Sequence, residues 1–527
     1  MSYCATVWSM KLDVNNLPED PILLKEIILG LDKKLSYLQE QIRLLQNQIF
    51  GKKSEKRPKG DDRQISLFNE AEVVEPPATE AVQQTIEVAG HSRAKRGRKP
   101  LPADLPRVDV MHDLPEAEKQ CPCGCQLKRI GQEICEKLDY IPAKLQVQRH
   151  IRYKYACPAC EGVQDEGATV KIAPVPAQLI AKSMATAGLV AHIVTAKFED
   201  ALPLYRQEKI FARLGIDLGR GTMCGWMIKT AEKIGPLLDL FCHQIRCGPL
   251  INIDETPVQV LNEQGRANTT KSYMWVFRGG EPDRPVLVFR YDPSRSGQVP
   301  LSFLDKYQGY VQTDGYGGYD IVGRQPGIVL VGCWAHVRRK FVEVIKAKSG
   351  PGKQGRAEQA IDRIGRLYAI EKQARDENLS PEQIKDLRQQ KAKPILDEFK
   401  IWLDRNVLIT PPKGLLGQAI TYTLNLWSRL VVYLEDGRLR PDNNLAENAI
   451  RPFVVGRKNW LFAGHPAGAD ASAALYSLIE TAKANGHKAY FYLRYLFDRL
   501  PLAQNQADYT SLFPQNLEPA VVEAAAR

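Results

Sequence analysis

At 527 residues and 59.2 kDa the chain is too long for one hydrophobic core, and several folding units are expected. Its 44% hydrophobic and 25% charged residues exclude a wholly disordered chain, and no uninterrupted apolar run is long enough to span a bilayer. The net charge of +11 points to a polyanionic partner. The N-terminus MSYCATVWSMKLDVNN lacks the basic-then-apolar order of a secretory signal, so a cytoplasmic protein is expected, and its eleven cysteines read as metal ligands or buried thiols rather than disulfides.

Residues 24–49 carry a heptad. Leu24, Leu31, Leu38 and Leu45 recur at one seam position, and Ile28, Leu35, Ile42 and Ile49 at the other. Leucine at d with mostly isoleucine at a favours a parallel two-stranded coiled coil, so a homodimer through this stretch is expected; the alternative is one amphipathic helix lying on its own domain. Residues 58–90 are polar, proline-containing and aperiodic, which reads as a linker. The run RAKRGRKP (93–100) follows, with Arg96, Arg98 and Lys99 in an RGRKP core that resembles an AT-hook. Extended arginines suit the narrow, electronegative minor groove of A·T-rich DNA; a solvated basic linker is the alternative.

Between 121 and 160, CPCGC supplies Cys121, Cys123 and Cys125, and CPAC supplies Cys157 and Cys160. Four thiolates in two close pairs fit a tetrahedral structural Zn²⁺ site. Cys121, Cys123, Cys157 and Cys160 are the favoured quartet, with Cys125 as the alternative within the compressed first pair. Residues 177–245 read as helical. Within them PLYRQEKIFARLGIDLGRGTMCGWMIKTAEKI suggests helix, turn, helix, with Ile210, Leu214, Met223 and Trp226 facing a packed interior. Such a pair either places a helix near 220–233 into a major groove or is a structural hairpin.

PLINIDETPVQVL (249–261) alternates as a strand with Asn252 and Asp254 on one side, and YMWVFRGG and PVLVFRYDPS continue as strands. GYVQTDGYGGYD (309–320) ends a strand at Asp314, and IVLVGCWAHVRRKFVEV passes from a buried strand into a basic helix. Strands in succession followed by helices suggest an α/β layout. In RPDNNLAENAIRP (440–452), Asn443 or Asn444 is placed to cap a short helix that Pro452 ends by displacing Arg451. Glu447 lies one turn in. It either closes a capping box with Asn444 or completes a site with Asp254 and Asp314. Three convergent carboxylates repel one another unless cations neutralise them, and hard oxygen ligands select Mg²⁺ or Mn²⁺ for two-metal phosphoryl transfer.

IDETPV, TDGYGGY, GCWAHVRRKF and RPDNNLAENAIRPFVVGRKNWLF, in this order, resemble the transposase of the insertion-sequence-66 family, bacterial mobile elements. The resemblance spans nearly the whole chain. It implies a multidomain protein in which an α/β ribonuclease-H-like catalytic core with a helical insertion follows a coiled coil, a small zinc module and a helical DNA-binding region. The expected divisions are a coiled coil at 20–52, a linker with the basic run at 53–107, the zinc module at 108–172 and a helical region at 173–247. The core follows at 248–463, with its insertion at about 347–410, and a helical cap closes the chain at 464–527. It further implies an Asp-Asp-Glu triad of Asp254, Asp314 and Glu447, with Cys333 and His336 as an auxiliary Cys-x-x-His signature. DNA contacts are implied after Glu447 at Arg451, Arg457, Lys458 and Trp460, where Trp460 either stacks on an unpaired base or packs in the core. The basic helix adds Arg338 and Arg339 as expected DNA-binding residues. The implied partners are terminal inverted repeats, target DNA and companion proteins of the same element.

Overall fold

The computed structural model describes residues 20–50 and 176–526 except 348–354, short strands at 85–88, 91–94, 154–156 and 170–172, and residues 145, 147 and 148. The basic residues Arg96, Arg98 and Lys99 and the cysteines Cys121, Cys123, Cys125, Cys157 and Cys160 lie outside the described residues. The chain divides into two units, Ala71–Val175 and the remainder. In the smaller unit β1 (Thr85–Val88) pairs antiparallel with β2 (His91–Ala94), which sets a hairpin where the sequence reads as linker. Strands β3 (Lys154–Ala156) and β4 (Val170–Ile172) pair likewise.

The larger unit begins with α1 (Pro21–Phe50), the helix that the heptad predicts. It lies against α7 (Trp334–Ala347), and its Glu40 carboxylate accepts from the Leu415 N–H at 3.3 Å. Its seam is nevertheless left open. Ile28, Leu31, Leu35, Leu38, Ile42 and Leu45 are 45% to 62% exposed, so the rest of the unit does not cover the stripe.

Helices α2 (Ala187–Phe198), α3 (Leu204–Arg213), α4 (Arg220–Lys233) and α5 (Gly235–Cys247) lead to the sheet. The turn between α3 and α4 uses Gly215 at φ +78°, and Glu208 on α3 accepts from the Arg220 N–H, satisfying one free donor at the start of α4. Met223 and Trp226 are buried as expected, whereas Leu214 is half exposed because the turn carries it past the hairpin's packed side.

A six-stranded mixed sheet forms the centre. β5 (Leu250–Val260), β6 (Lys271–Glu281) and β7 (Arg284–Asp292) make an antiparallel meander. β8 (Gly309–Gln312) then pairs parallel with β5, and β9 (Ile328–Val331) parallel with β8, giving the order β7-β6-β5-β8-β9; the sixth strand, β10 (Phe462–Ala463), pairs parallel with the end of β5. The edge strand β7 would present free backbone groups, a site for unwanted pairing. Helix α14 (Pro466–Ala484) covers it: Ser477 accepts from the Phe289 N–H, Thr481 bonds both the N–H and C=O of Leu287, and Asn485 donates to the Pro285 carbonyl. Four residues of helix rise about 6 Å and two of strand about 6.6 Å, so polar side chains at every fourth helix position meet every second strand residue. This is how the C-terminal segment caps the core.

Between β9 and the last part of the core, α7, α8 (Arg356–Asp376), α10 (Lys393–Ile409), α11 (Leu415–Asn425) and α12 (Trp427–Leu430) enclose a second hydrophobic core around Trp334, Phe399 and Leu396. The helical insertion thus continues beyond residue 410, because α11 and α12 complete that core. Helix α13 (Asn444–Trp460) also differs from expectation: it runs through Pro452 instead of ending there. Interior proline costs on the order of 3 kcal/mol. Here the apolar face is continuous across it, with Ala446, Ala449, Ile450, Phe453 and Gly456 buried at helical spacing. At Gly456 an added Cβ would lie 2.8 Å from the Tyr476 hydroxyl, so glycine permits the close approach of α13 to α14.

Candidate active site

The parallel register of β5 and β8 pairs Leu250 with Tyr310, Ile251 with Val311 and Asn252 with Gln312. Two residues further on, Asp254 lies in the middle of β5 rather than at a strand end, still paired with Val276 of β6, and Asp314 lies two residues beyond the end of β8. The direction of Asp254 follows from the pleat. Asn252 and Gln312 are joined side chain to side chain, Nδ2 to Oε1 at 2.9 Å, and along β5 the side chain two residues on projects to the same face. Asp314 is near enough for its field to act on the Asp254 carboxyl.

Glu447 is tied to the same spot. Asn443, at the start of α13, makes no side-chain cap; it accepts from Asn252 Nδ2 at 3.1 Å and donates its own Nδ2 to the Ile253 carbonyl at 2.9 Å. Asn444 does not form a box with Glu447 either, since its N–H bonds the Asp442 carboxylate at 3.1 Å. One helical turn beyond Asn443, Glu447 faces the cleft. Asn252, Gln312 and Asn443 are thus a fully buried amide foundation, with an acid two residues or one helical turn beyond each. Sequence reasoning missed these three, although a polar residue two positions before each aspartate in an apolar strand (NID, QTD) was visible.

The electrostatics agree with convergence. Burial pushes the Asp254 carboxyl well above the usual carboxylate range, and the fields of Glu255, Glu447 and Asp314 push it further. Asp254 Oδ1 accepts only the Glu255 N–H among the described residues, and Asp314 Oδ1 accepts the Tyr316 N–H at 2.8 Å. Glu447 Oε1 is buried with no hydrogen-bond partner. Under-bonded carboxylate oxygens are the donor type that hard divalent cations favour.

Around Glu447 stand His336 Nδ1 at 3.6 Å and Arg339 Nη2 at 3.4 Å. Burial holds His336 below its ordinary value, against the raising field of Glu447. Donor atoms of Cys333, His336 and Glu447 lie within 4.8 Å of one another. Burial pushes the Cys333 thiol up to about 12, and the Asn443 N–H donates to its Sγ, so Cys333 serves as a small buried acceptor at the entry to α13.

The helical insertion shapes the site as well. Tyr422 on α11 donates to the Asp314 carbonyl at 2.8 Å. Arg388, only 1% exposed in a short π-helical turn, forks onto Glu371 and donates to the carbonyls of Tyr433, Asp436 and Leu439. It thereby fixes the loop that delivers α13 and Glu447. No local signal distinguishes this arginine from its charged neighbours in the sequence.

The family match decides the chain's kinship. The model described as "Transposase IS66 family" matches residues 182–471, more than half the chain and all of the sheet and insertion. The chain belongs to the IS66 transposase family. Further family models match along it: "Transposase C of IS166 homeodomain" at 37–110, "zinc-finger binding domain of transposase IS66" at 118–161, and "IS66 C-terminal element" at 477–515. The zinc-finger match spans all five cysteines of the CPCGC and CPAC segments, which supports Zn²⁺ there. Relatives in Sinorhizobium fredii are similar over almost their whole length. The uncharacterized protein y4jD is 34% identical, covering 93% of this chain and 95% of its own, and the uncharacterized protein y4qI is 30% identical over 95% and 92%.

For an IS66-family member DNA is the partner, and the expected contact residues separate in the structure. Arg339, Arg451 and Lys458 are exposed, and Arg457 is half-buried with Nη1 3.3 Å from the Thr256 hydroxyl. Arg338 is buried on the inner side of α7 and presents no cation to a ligand, which corrects its assignment. Trp460 is partly buried and packs edge-to-face on Phe453, with the Lys197 amine over its ring at 5.3 Å. Among the described residues no helix is long and apolar enough to cross a membrane.

Proposed function

We propose that this chain is an active Asp-Asp-Glu transposase with a ribonuclease-H-like core, binding the terminal inverted repeats of its element, cleaving them and joining the freed 3′ hydroxyls to target DNA. The observation that supports the reading is the buried amide cluster of Asn252, Gln312 and Asn443, which ties together the three segments that carry Asp254, Asp314 and Glu447. A three-strand antiparallel meander followed by two parallel strands, with one acid within the first strand and the next just after the fourth, supports the fold assignment.

In this reading Asp254, Asp314 and Glu447 hold the divalent ions. When bound, such ions activate the attacking oxygen and stabilise the charge on the leaving 3′ oxygen. The chain's own contribution is orientation. Asn443 and Arg388 set the reach of Glu447, and Tyr422 and the Tyr316 N–H set Asp314. Arg339 beside Glu447 balances its charge at the cleft rim, and Arg451, Arg457 and Lys458 on the following turns bind backbone phosphates, which fix register without reading sequence. His336, kept neutral by burial, limits excess positive charge beside the acids. No covalent protein–DNA intermediate is needed.

Cys121, Cys123, Cys157 and Cys160 (Cys125 as alternative) hold a structural Zn²⁺ in this reading, and Arg96, Arg98 and Lys99 enter a minor groove. The open seam of α1 pairs two copies, and so two DNA ends. The test is Mg²⁺-dependent strand transfer on labelled element ends, with Asp254→Ala, Asp314→Ala and Glu447→Ala beside wild type. Loss of joining in all three with retained DNA binding is the expected result. Joining that persists in any one of them removes that residue from the triad, and binding without joining by the wild type makes the chain a DNA-binding regulator.

A further inference from the structure

The residue after Asp254 is also acidic, and the structure gives it a different task. Glu255 is buried; its Oε1 accepts from Arg295 Nε at 2.8 Å and Nη2 at 2.7 Å, and its Oε2 accepts a short hydrogen bond from the Tyr319 hydroxyl. With both oxygens engaged, Glu255 is not a free metal ligand. It is an anchor for a guanidinium.

That guanidinium is held from a second side. It stacks 4.0 Å over the ring of Tyr316, the residue whose N–H bonds Asp314. The loops bearing the two partners are locked together: a Cβ at Gly297 would lie 1.9 Å from the Gly318 carbonyl oxygen, and one at Gly318 would lie 2.3 Å from the Tyr316 ring. Arg295 therefore cannot swing freely, although its side chain is 41% exposed. Its Nη1 has no hydrogen-bond partner among the described residues, and it sits within the field of Asp314.

A cation fixed by a buried carboxylate and an aromatic face, with one donor edge free beside an acidic cleft, has the chemistry of a phosphate-binding arginine. The planar fork matches phosphate oxygens, and holding it in advance removes the entropic cost of ordering it. We propose that Arg295 is a binding residue for a backbone phosphate of the DNA strand entering the Asp254–Asp314 side of the cleft, with Glu255 as its positioning residue. Both rest on the reading that this cleft receives DNA.

The two roles separate in a binding experiment that needs no chemistry. The full-length chain is titrated, with Ca²⁺ in place of Mg²⁺, against element-end duplexes in which one phosphate at a time is replaced by a neutral methylphosphonate. Neutralising one particular phosphate is expected to weaken wild type and Arg295→Lys while leaving Arg295→Ala unchanged, and Arg295→Ala should lower the salt dependence of binding by about one counterion. Glu255→Gln should keep that salt dependence and lose affinity at the same phosphate. If wild type and Arg295→Ala lose affinity equally at every position while the variant's melting temperature falls, the pair only staples two loops and the proposal is overturned. Failure of the catalytic reading shows elsewhere, as strand transfer that survives Asp314→Ala.

Discussion

Replacing Asn443 with alanine removes no acidic group and no surface charge, yet it cuts the link between α13 and β5. The side chain makes two hydrogen bonds in a fully buried position, to Asn252 Nδ2 and to the Ile253 carbonyl. Each contributes about 1 kcal/mol net, and the carbonyl left without its partner adds about 1–3 kcal/mol, so Asn443→Ala should cost roughly 3–5 kcal/mol. At about 2–4 °C per kcal/mol for a large domain this is a fall of at least about 6 °C in melting temperature. The effect on strand transfer should be larger than stability explains, because a misplacement of about 1 Å at a catalytic group can cost about a hundredfold in rate. The assay is strand transfer well below the melting point of the variant, with thermal unfolding alongside. A variant that melts with wild type, or that melts lower yet joins DNA at the wild-type rate, refutes the idea that the amide foundation sets Glu447.

Other consequences can be checked on the same protein. Asp254 binds its proton more tightly folded than unfolded, so without divalent ions stability should fall as pH rises from the ordinary carboxylate range through its raised value. Asp254→Asn should flatten that fall in a series of melts while abolishing joining; an unchanged pH profile would mean that burial and the neighbouring carboxylates do not raise the Asp254 carboxyl. Arg388→Met strands a partly buried Glu371 carboxylate and several carbonyls, and should cost about 3–5 kcal/mol in chemical denaturation while lowering joining through the loop before α13. Paired Leu31→Lys and Leu38→Lys changes on the open seam of α1 should convert a dimer to a monomer in sedimentation with little change in core melting; a wild-type monomer contradicts the coiled-coil pairing.

Much of the fold was legible because periodicity reports burial directly. The heptad gave α1, alternation gave β5, and the run of strands before helices gave the mixed sheet. The third acid was placed on the right helix, but the helix's length was misjudged at Pro452. A local rule about proline was set against an apolar stripe from Ala446 to Gly456, and in the folded chain the stripe prevails because its whole face packs on the sheet and α14. What stayed hidden was whatever depends on distant residues meeting. Arg388 reaches carbonyls 45 to 51 residues further along the chain, Arg295 meets Glu255 across the sheet, and Tyr422 crosses from the insertion to Asp314. None has a periodic or spacing signature. Arg338 shows the converse: residue type suggested a surface role, whereas the side chain is buried.

The convergence of three acids on one divalent-ion site can be read most directly by placing Fe²⁺ there. In full-length protein with ascorbate and peroxide, iron cuts the polypeptide near whatever holds it. Breaks beside residues 254, 314 and 447 together, suppressed by excess Mg²⁺ and lost in Asp254→Asn, are the result this account predicts. Cuts confined to the segments around Cys333, His336 and Glu447, with the chain intact at residues 254 and 314, would contradict it.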